Sequence, residues 1–255
     1  MTQTHEKDLE GMTALVTGAA MRIGRALALA LAGRGATVAV HYGNSVEAAA
    51  ETVAAIHDFG GCAVAFQADL RNISQTDVLI EKAVERLGKL DILVNSAAVY
   101  EMAELAETTE PIWDEQFSVN LKAPFFLARA FARHVGMDCA GQIINIADWR
   151  AIRPDPQSIA YSLTKAGIVA MTKGLAMDLA PNIRVNAIAP GSILPPPGQN
   201  EAYLEEIGKR TPLQMHGSTE DLARALLYLV TAKFVTGQVL FVDGGEHLGR
   251  SRKIH

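Results

Sequence analysis

Short apolar runs alternate with longer stretches of helical composition along almost the whole chain. Thr13-Ala14-Leu15-Val16-Thr17 ends at Gly18 and reads as a first strand. Segment 22–34 is rich in Ala and Leu and closes at Gly35, a helix with a glycine stop. Further strands are predicted at 36–41, 63–67, 91–94, 142–147, 183–188 and 239–242. Between them the composition predicts helices over 47–59, 74–87, 113–136, 158–180 and 219–231. The strand segments are apolar on both faces, as in a parallel sheet covered by helices. Alternating strand and helix then give an α/β chain with a doubly wound, mostly parallel seven-stranded sheet of the Rossmann kind. No internal boundary or repeat interrupts residues 1–255, so a single nucleotide-binding domain is expected. Segment 190–212, with Pro195-Pro196-Pro197-Gly198 inside it, breaks the rhythm. It is either a structural excursion or a substrate lid, and loops at the carboxyl ends of strands favour the lid.

Composition narrows the function classes. Of the 255 residues, 49 % are hydrophobic and 20 % charged, which is enough apolar material for a large core. Net charge is -5 and no Lys/Arg run appears, so no nucleic-acid partner is expected. Cys62 and Cys139 lie far apart and form no CxxC pair, which suits a reduced, cytoplasmic setting. The polar N-terminus MTQTHEKDLEG lacks the pattern of a signal peptide, and no long apolar run suggests a membrane span. His41 and His247 lie in different elements without ligand spacing, so no metal site is expected.

Two motifs carry chemistry. Thr17-Gly18-Ala19-Ala20-Met21-Arg22-Ile23-Gly24 lies between the first strand and the first helix. Glycine there permits a tight turn and close approach of a pyrophosphate, and the helix N-terminus offers free N–H groups. NAD binders place Asp or Glu at the end of the second strand for the ribose hydroxyls. Here that strand ends His41-Tyr42-Gly43-Asn44-Ser45, with no carboxylate before Glu47. Asn44 and Ser45 can donate hydrogen bonds, and Arg22 supplies positive charge near the turn unless it is a solvated helix residue. NADPH is therefore expected over NADH. The second motif is Tyr161-Ser162-Leu163-Thr164-Lys165, which puts a phenol and an ammonium on one helical face. An ammonium beside a phenol lowers its pKa, and reducing a carbonyl needs a proton donor, so Tyr161 is the expected donor. Lys165 is expected to tune Tyr161 and hold the cofactor ribose.

With these elements in place the chain resembles the classical short-chain dehydrogenase/reductase family along nearly its full length. The matching residues are Thr17-Gly18 to Gly24, Asp69, Asn95-Ser96-Ala97-Ala98, Asn120, Tyr161 with Lys165, and Pro190-Gly191. The resemblance implies NADP(H) as cofactor and a small-molecule substrate. It implies that Asp69, with neighbouring Leu70, borders the adenine, and that Asn95 and Ala97 line the cofactor. Asn120 would support Lys165 through a water, and Pro190, Gly191 and Ser192 would touch the carboxamide. Such proteins usually form tetramers through the helices matching 120–136 and the one bearing Tyr161.

Three departures point further. Arg22 stands where the family has glycine, Asp148 where it has the catalytic serine, and Tyr100 follows Asn95-Ser96-Ala97-Ala98. All three resemble the pteridine reductase and dihydromonapterin reductase branch. An ionised aspartate only accepts hydrogen bonds and cannot replace a serine donor. Either Asp148 stays protonated by burial, or the reactive group is a ring C=N and Asp148 relays a proton with Tyr161. Tyr100 offers a flat face for an aromatic ring, and Trp149 borders the same place. The expected activity is NADPH-dependent reduction of a dihydropterin or similar fused-ring substrate. The alternatives are reduction of a 3-oxoacyl thioester or another ketone, or a non-catalytic cofactor sensor. Arg150, Arg153, Lys209 and Arg210 would be the basic patch for an acyl carrier, or ordinary solvated surface.

Overall fold

In the computed structural model, residues 7–136, 140–196 and 198–249 are described. The start of the polar N-terminus (1–6), Cys139 and Pro197 lie outside them. Seven strands, β1 (Thr13–Val16), β2 (Thr37–Tyr42), β3 (Cys62–Gln67), β4 (Ile92–Asn95), β5 (Gly141–Ile146), β6 (Ile183–Pro190) and β7 (Val239–Val242), join one sheet. Their order is β3-β2-β1-β4-β5-β6-β7, and every neighbouring pair is parallel. The expectation of a mostly parallel sheet is thus met in full, because each connection carries a helix or a long excursion.

Alternation along the strands explains the two cores. In β1, Ala14 and Val16 face one layer and Leu15 the other. The first layer holds α1 (Arg22–Gly33), α2 (Val46–Asp58) and α8 (Thr219–Thr231). α1 buries Leu27, Ala28, Leu31 and Ala32, a stripe at helical spacing. α8 starts on a capping box, in which Ser218 and Asp221 each satisfy the other's backbone N–H. The opposite layer holds α3 (Ser74–Leu87), α5 (Ala123–Val135) and α6 (Ile159–Asp178). The order reverses between β1 and β4, which opens a crevice at the carboxyl ends of the central strands.

Two elements differ from the sequence expectation. The segment expected as one helix over 113–136 begins earlier and is broken. α4 (Glu110–Phe117) starts at a Thr109 cap, and a π-helical turn at Ser118–Lys122 leads into α5. The turn carries Asn120 inward, where its amide pairs with the backbone of Val99 on both sides. Segment 190–212 contains an unexpected helix, α7 (Glu201–Gly208), anchored by buried Leu204. The prolines before it dominate the sequence signal there.

Candidate functional site

The carboxyl ends of β1 to β4 enclose a cavity of about 550 Å³. It is lined by Gly18, Arg22, Ile23, Gly24, His41, Asn44, Ser45, Asp69, Leu70 and Ala97, among others. All of these were expected from the sequence at a cofactor site. The turn after β1 is built by close backbone packing. A Cβ on Gly24 would lie 2.2 Å from the Gly18 oxygen, and one on Gly18 would lie 2.8 Å from Ala97 Cα. Thr17 Oγ1 accepts from the N–H groups of Ser96 and Ala97, at 2.9 and 3.0 Å, and so ties the turn to the end of β4.

Buried His41 fixes the same turn from beneath. Its Nδ1 accepts the Gly18 N–H at 3.1 Å, which leaves Nε2 as the protonated nitrogen, 3.1 Å from the Ala68 carbonyl. Burial pulls the imidazole down from 6.5 to about 4, against the opposing pull of the Ala68 carbonyl. His41 therefore reaches the site as a neutral brace rather than as a cation. Arg22 sits at φ +54, the left-handed region that suits glycine. Its guanidinium donates to the Pro195 carbonyl at 3.0 Å, so it bridges the turn to segment 190–212. Asp69 takes both Nε and Nη2 of Arg71, whose hydrogen bonds hold its carboxyl below the usual range. Arg71 also lines the cavity and lies 3.7 Å from Glu115.

The catalytic candidates meet beside this cavity. Tyr161, buried on α6, donates its hydroxyl to Asp148 Oδ2 at 3.1 Å. Lys165, one helical turn on, donates to the Ile146 carbonyl at 2.8 Å, and its Nζ lies 5.5 Å from the Tyr161 ring centre. Tyr100 meets the Tyr161 ring edge-on with centroids 4.7 Å apart and stays 46 % exposed. Asp148 accepts three donors: the Tyr161 hydroxyl, the Arg150 backbone N–H at 2.8 Å and the Arg150 guanidinium at 3.3 Å. That donor set suits a carboxylate rather than an acid. Burial, then the Asp148 carboxylate, push the Tyr161 hydroxyl well above its ordinary value of 10.0. The net effect on the phenol is opposite to the lowering that the Tyr–Lys spacing predicts. Burial also draws the Lys165 ammonium down to about 8.

Comparison with known proteins decides the family. Residues 18–247 match the family model described as enoyl-(acyl carrier protein) reductase. A granaticin polyketide synthase putative ketoacyl reductase of Streptomyces violaceoruber is 37 % identical, over 94 % of this chain and 97 % of its own. A 3-oxoacyl-[acyl-carrier-protein] reductase of Synechocystis is 36 % identical, over 93 % of this chain and 97 % of its own. Among solved structures, FolM alternative dihydrofolate reductase 1 from Brucella suis, in complex with NADP, superposes with a TM-score of 0.90. It is 35 % identical and the match covers 95 % of this chain and 98 % of that one. The chain is a classical short-chain dehydrogenase/reductase. It is an oxidoreductase, as its matched relatives are named.

Within this short-chain dehydrogenase/reductase, several expected residues lie outside the lining of that cavity. Asn95 is buried, and its amide donates to Asn145, which donates in turn to Thr172. It ties β4, β5 and α6 together, while Ser96, Ala97 and Ala98 provide the lining. Pro190 ends β6, and Gly191 fits only because it has no side chain, since a Cβ would meet Asp243 Cα at 2.6 Å. Ser192 is held by Glu246, whose Oε2 accepts the Ser192 N–H at 3.0 Å and whose two oxygens flank its hydroxyl. His247 pairs with Asp243 at 2.6 Å. Trp113 stacks on Phe117, centroids 4.2 Å apart, as a packing residue. Glu246 was not foreseen as a site residue, and Arg150 was expected only in a basic patch for an acyl carrier or as solvated surface, not as a partner of Asp148. Among the described residues no helix is long and apolar enough to cross a membrane.

Proposed function

We propose that this oxidoreductase uses NADPH to reduce a dihydropterin or a similar fused-ring C=N substrate. The observation that carries the reading is the carboxylate of Asp148, 3.1 Å from the Tyr161 hydroxyl, where a donor would serve a ketone. A ketone oxygen brought beside Asp148 meets an acceptor and loses a hydrogen bond. A ring N–H, an exocyclic amine or a protonated ring nitrogen meets a partner. Tyr100, exposed above Tyr161, adds a flat wall for such a ring. The relative named as an alternative dihydrofolate reductase supports the same reading.

The cavity fits a nicotinamide dinucleotide, because the Gly18–Gly24 turn leaves backbone where a side chain would block close approach. The NADP in the Brucella suis relative supports the phosphorylated form, as does the absence of a carboxylate over 41–45. The bound cofactor supplies the hydride. Gly18, Arg22, Ile23 and Gly24 would cradle its phosphates, and Asn44 and Ser45 the 2′-phosphate. Tyr161, kept protonated by its surroundings, gives its proton to the ring nitrogen as the hydride reaches the neighbouring carbon. Lys165 holds the cofactor ribose, Asn120 fixes the Val99 backbone beside Tyr100, and Asp148 orients the substrate and the Tyr161 proton. Exposed Phe125 on α5 would lie in the interface of the expected homotetramer.

The two ketoacyl reductase relatives favour a second reading, reduction of a 3-oxoacyl thioester. NADPH oxidation by the purified protein decides between them, against dihydrobiopterin, dihydromonapterin, dihydrofolate and a 3-oxoacyl thioester. Turnover of a pterin supports the first reading, and turnover of the thioester alone overturns it.

A further inference from the structure

From the sequence, Arg150 is either part of a basic patch for an acyl carrier or a solvated surface arginine. In the structure its side chain is only 24 % exposed. The guanidinium lies 3.3 Å from Asp148 and 3.4 Å from Asp155, 4.6 Å from the Trp149 ring centre and 5.8 Å from that of Tyr100. We propose that Arg150 is a positioning residue, which holds the Asp148 carboxylate against the Tyr161 hydroxyl and offsets the charge that aspartate brings there. The proposal rests on the role given above to Asp148 in the reduction.

The argument is one of compensation. A serine in the position of Asp148 would be neutral and would leave the phenol undisturbed. A carboxylate 3.1 Å from that phenol opposes its ionisation, and so opposes release of its proton. The groups that act electrostatically on Tyr161 are Asp148 and Tyr100, which oppose ionisation, and Arg150, which favours it. Lys165 packs over its ring. Asp148, Tyr100, Tyr161 and Asp155 in turn hold Arg150 charged against the cost of its burial. Glu246 completes the set of carboxylates near this arginine. The geometry is specific as well as electrostatic. Backbone N–H and guanidinium of Arg150 both bind Asp148 Oδ1, which leaves Oδ2 for Tyr161. Asp155, the Trp149 ring beneath it and the turn at Trp149–Ala151 hold the guanidinium in place.

The test is a double-mutant cycle with NADPH as cofactor, run on dihydrobiopterin and on ethyl acetoacetate, a simple activated ketone. R150M should lower kcat roughly 10- to 100-fold, the range for losing a charge-assisted hydrogen bond. NADPH binding, read by nucleotide fluorescence, should not change. KM for either substrate should stay nearly unchanged, because Arg150 acts through Asp148 and not on the substrate. R150K should recover part of kcat. D148S/R150M should be no slower than D148S, since without the anion no counter-cation is needed. Should R150M fail to fold, R150K and D148S/R150K carry the same comparison. Independent, multiplicative losses in the double variant would overturn the proposal. So would an R150M enzyme with raised KM but unchanged kcat, which would make Arg150 a substrate contact. Turnover of the ketone alone would end the pterin reading, and the coupling of Arg150 to Asp148 would still be read on that ketone.

Discussion

His41 offers the sharpest quantitative test of how the cofactor turn is held. The ring is buried, neutral and fixed in one tautomer by the Gly18 N–H and the Ala68 carbonyl. Its pKa lies at about 4, against 6.5 when exposed. The folded value is depressed, so the stability linked to the neutral ring is complete above about pH 6.5. It is lost as pH falls through that window toward 4. At about 1.4 kcal/mol per pH unit, the gap makes about 3 kcal/mol. Below it the ring would carry a proton on Nδ1, aimed at another N–H. Urea unfolding of the wild type and H41L, at fixed protein concentration and several pH values from 7.5 to 4, isolates this contribution from other titrating groups. H41L should be less stable at pH 7.5, and the difference should narrow by about 3 kcal/mol on the way to pH 4. NADPH affinity of the wild type should fall over the same window, because the brace and the turn are one structure. A stability difference constant with pH would refute the reasoning, since His41 would then be charging in place without cost.

Three further outcomes follow from single contacts. G24A places a methyl group 2.2 Å from the Gly18 oxygen, so it should weaken NADPH binding at least tenfold by fluorescence titration, and wild-type affinity would count against the turn as cradle. At Arg22, φ +54 costs any residue but glycine, so R22G should be more stable than R22A by about 1 kcal/mol in denaturant titrations. A reversed order would show that position 22 relaxes. Y161F should lower kcat by about 10²- to 10⁴-fold with NADPH affinity unchanged, and a smaller loss in single-turnover measurements would assign the proton to another donor.

The sheet was legible because its strands are apolar on both faces, as strands of a parallel sheet covered by helices are. Gly18 to Gly24, and Tyr161 with Lys165, were legible because their chemistry depends on spacing within one element. What escaped was long-range pairing. Nothing local announces that His41 Nδ1 meets a backbone N–H of another element, or that the Asn95 amide is spent on Asn145. The same holds for Glu246 on Ser192, 54 residues apart in sequence. The broken helix at Ser118–Lys122 escaped as well. One local signal was there, Pro124, which has no N–H to give the Asn120 carbonyl in a continuous α-helix and sits in the first turn of α5, but the pairing of Asn120 with Val99 that accompanies the break has none.

Asp148 shows how a departure from a family pattern should be weighed. Taken alone, it asks whether the acid is neutral enough to imitate a serine. The structure changes the question, because Arg150 reaches it from two positions along the chain and supplies two of its three donors. An aspartate that had to act as a donor would gain nothing from a neighbouring guanidinium, which favours the charged form. A built-in cation is therefore evidence that the carboxylate works as an acceptor. On the reading proposed above, an acceptor beside a proton-donating phenol would favour substrates that bring their own N–H to the site. The substitution and its neighbour are one unit, and a ketone reductase with serine in that position has no use for the second half of it.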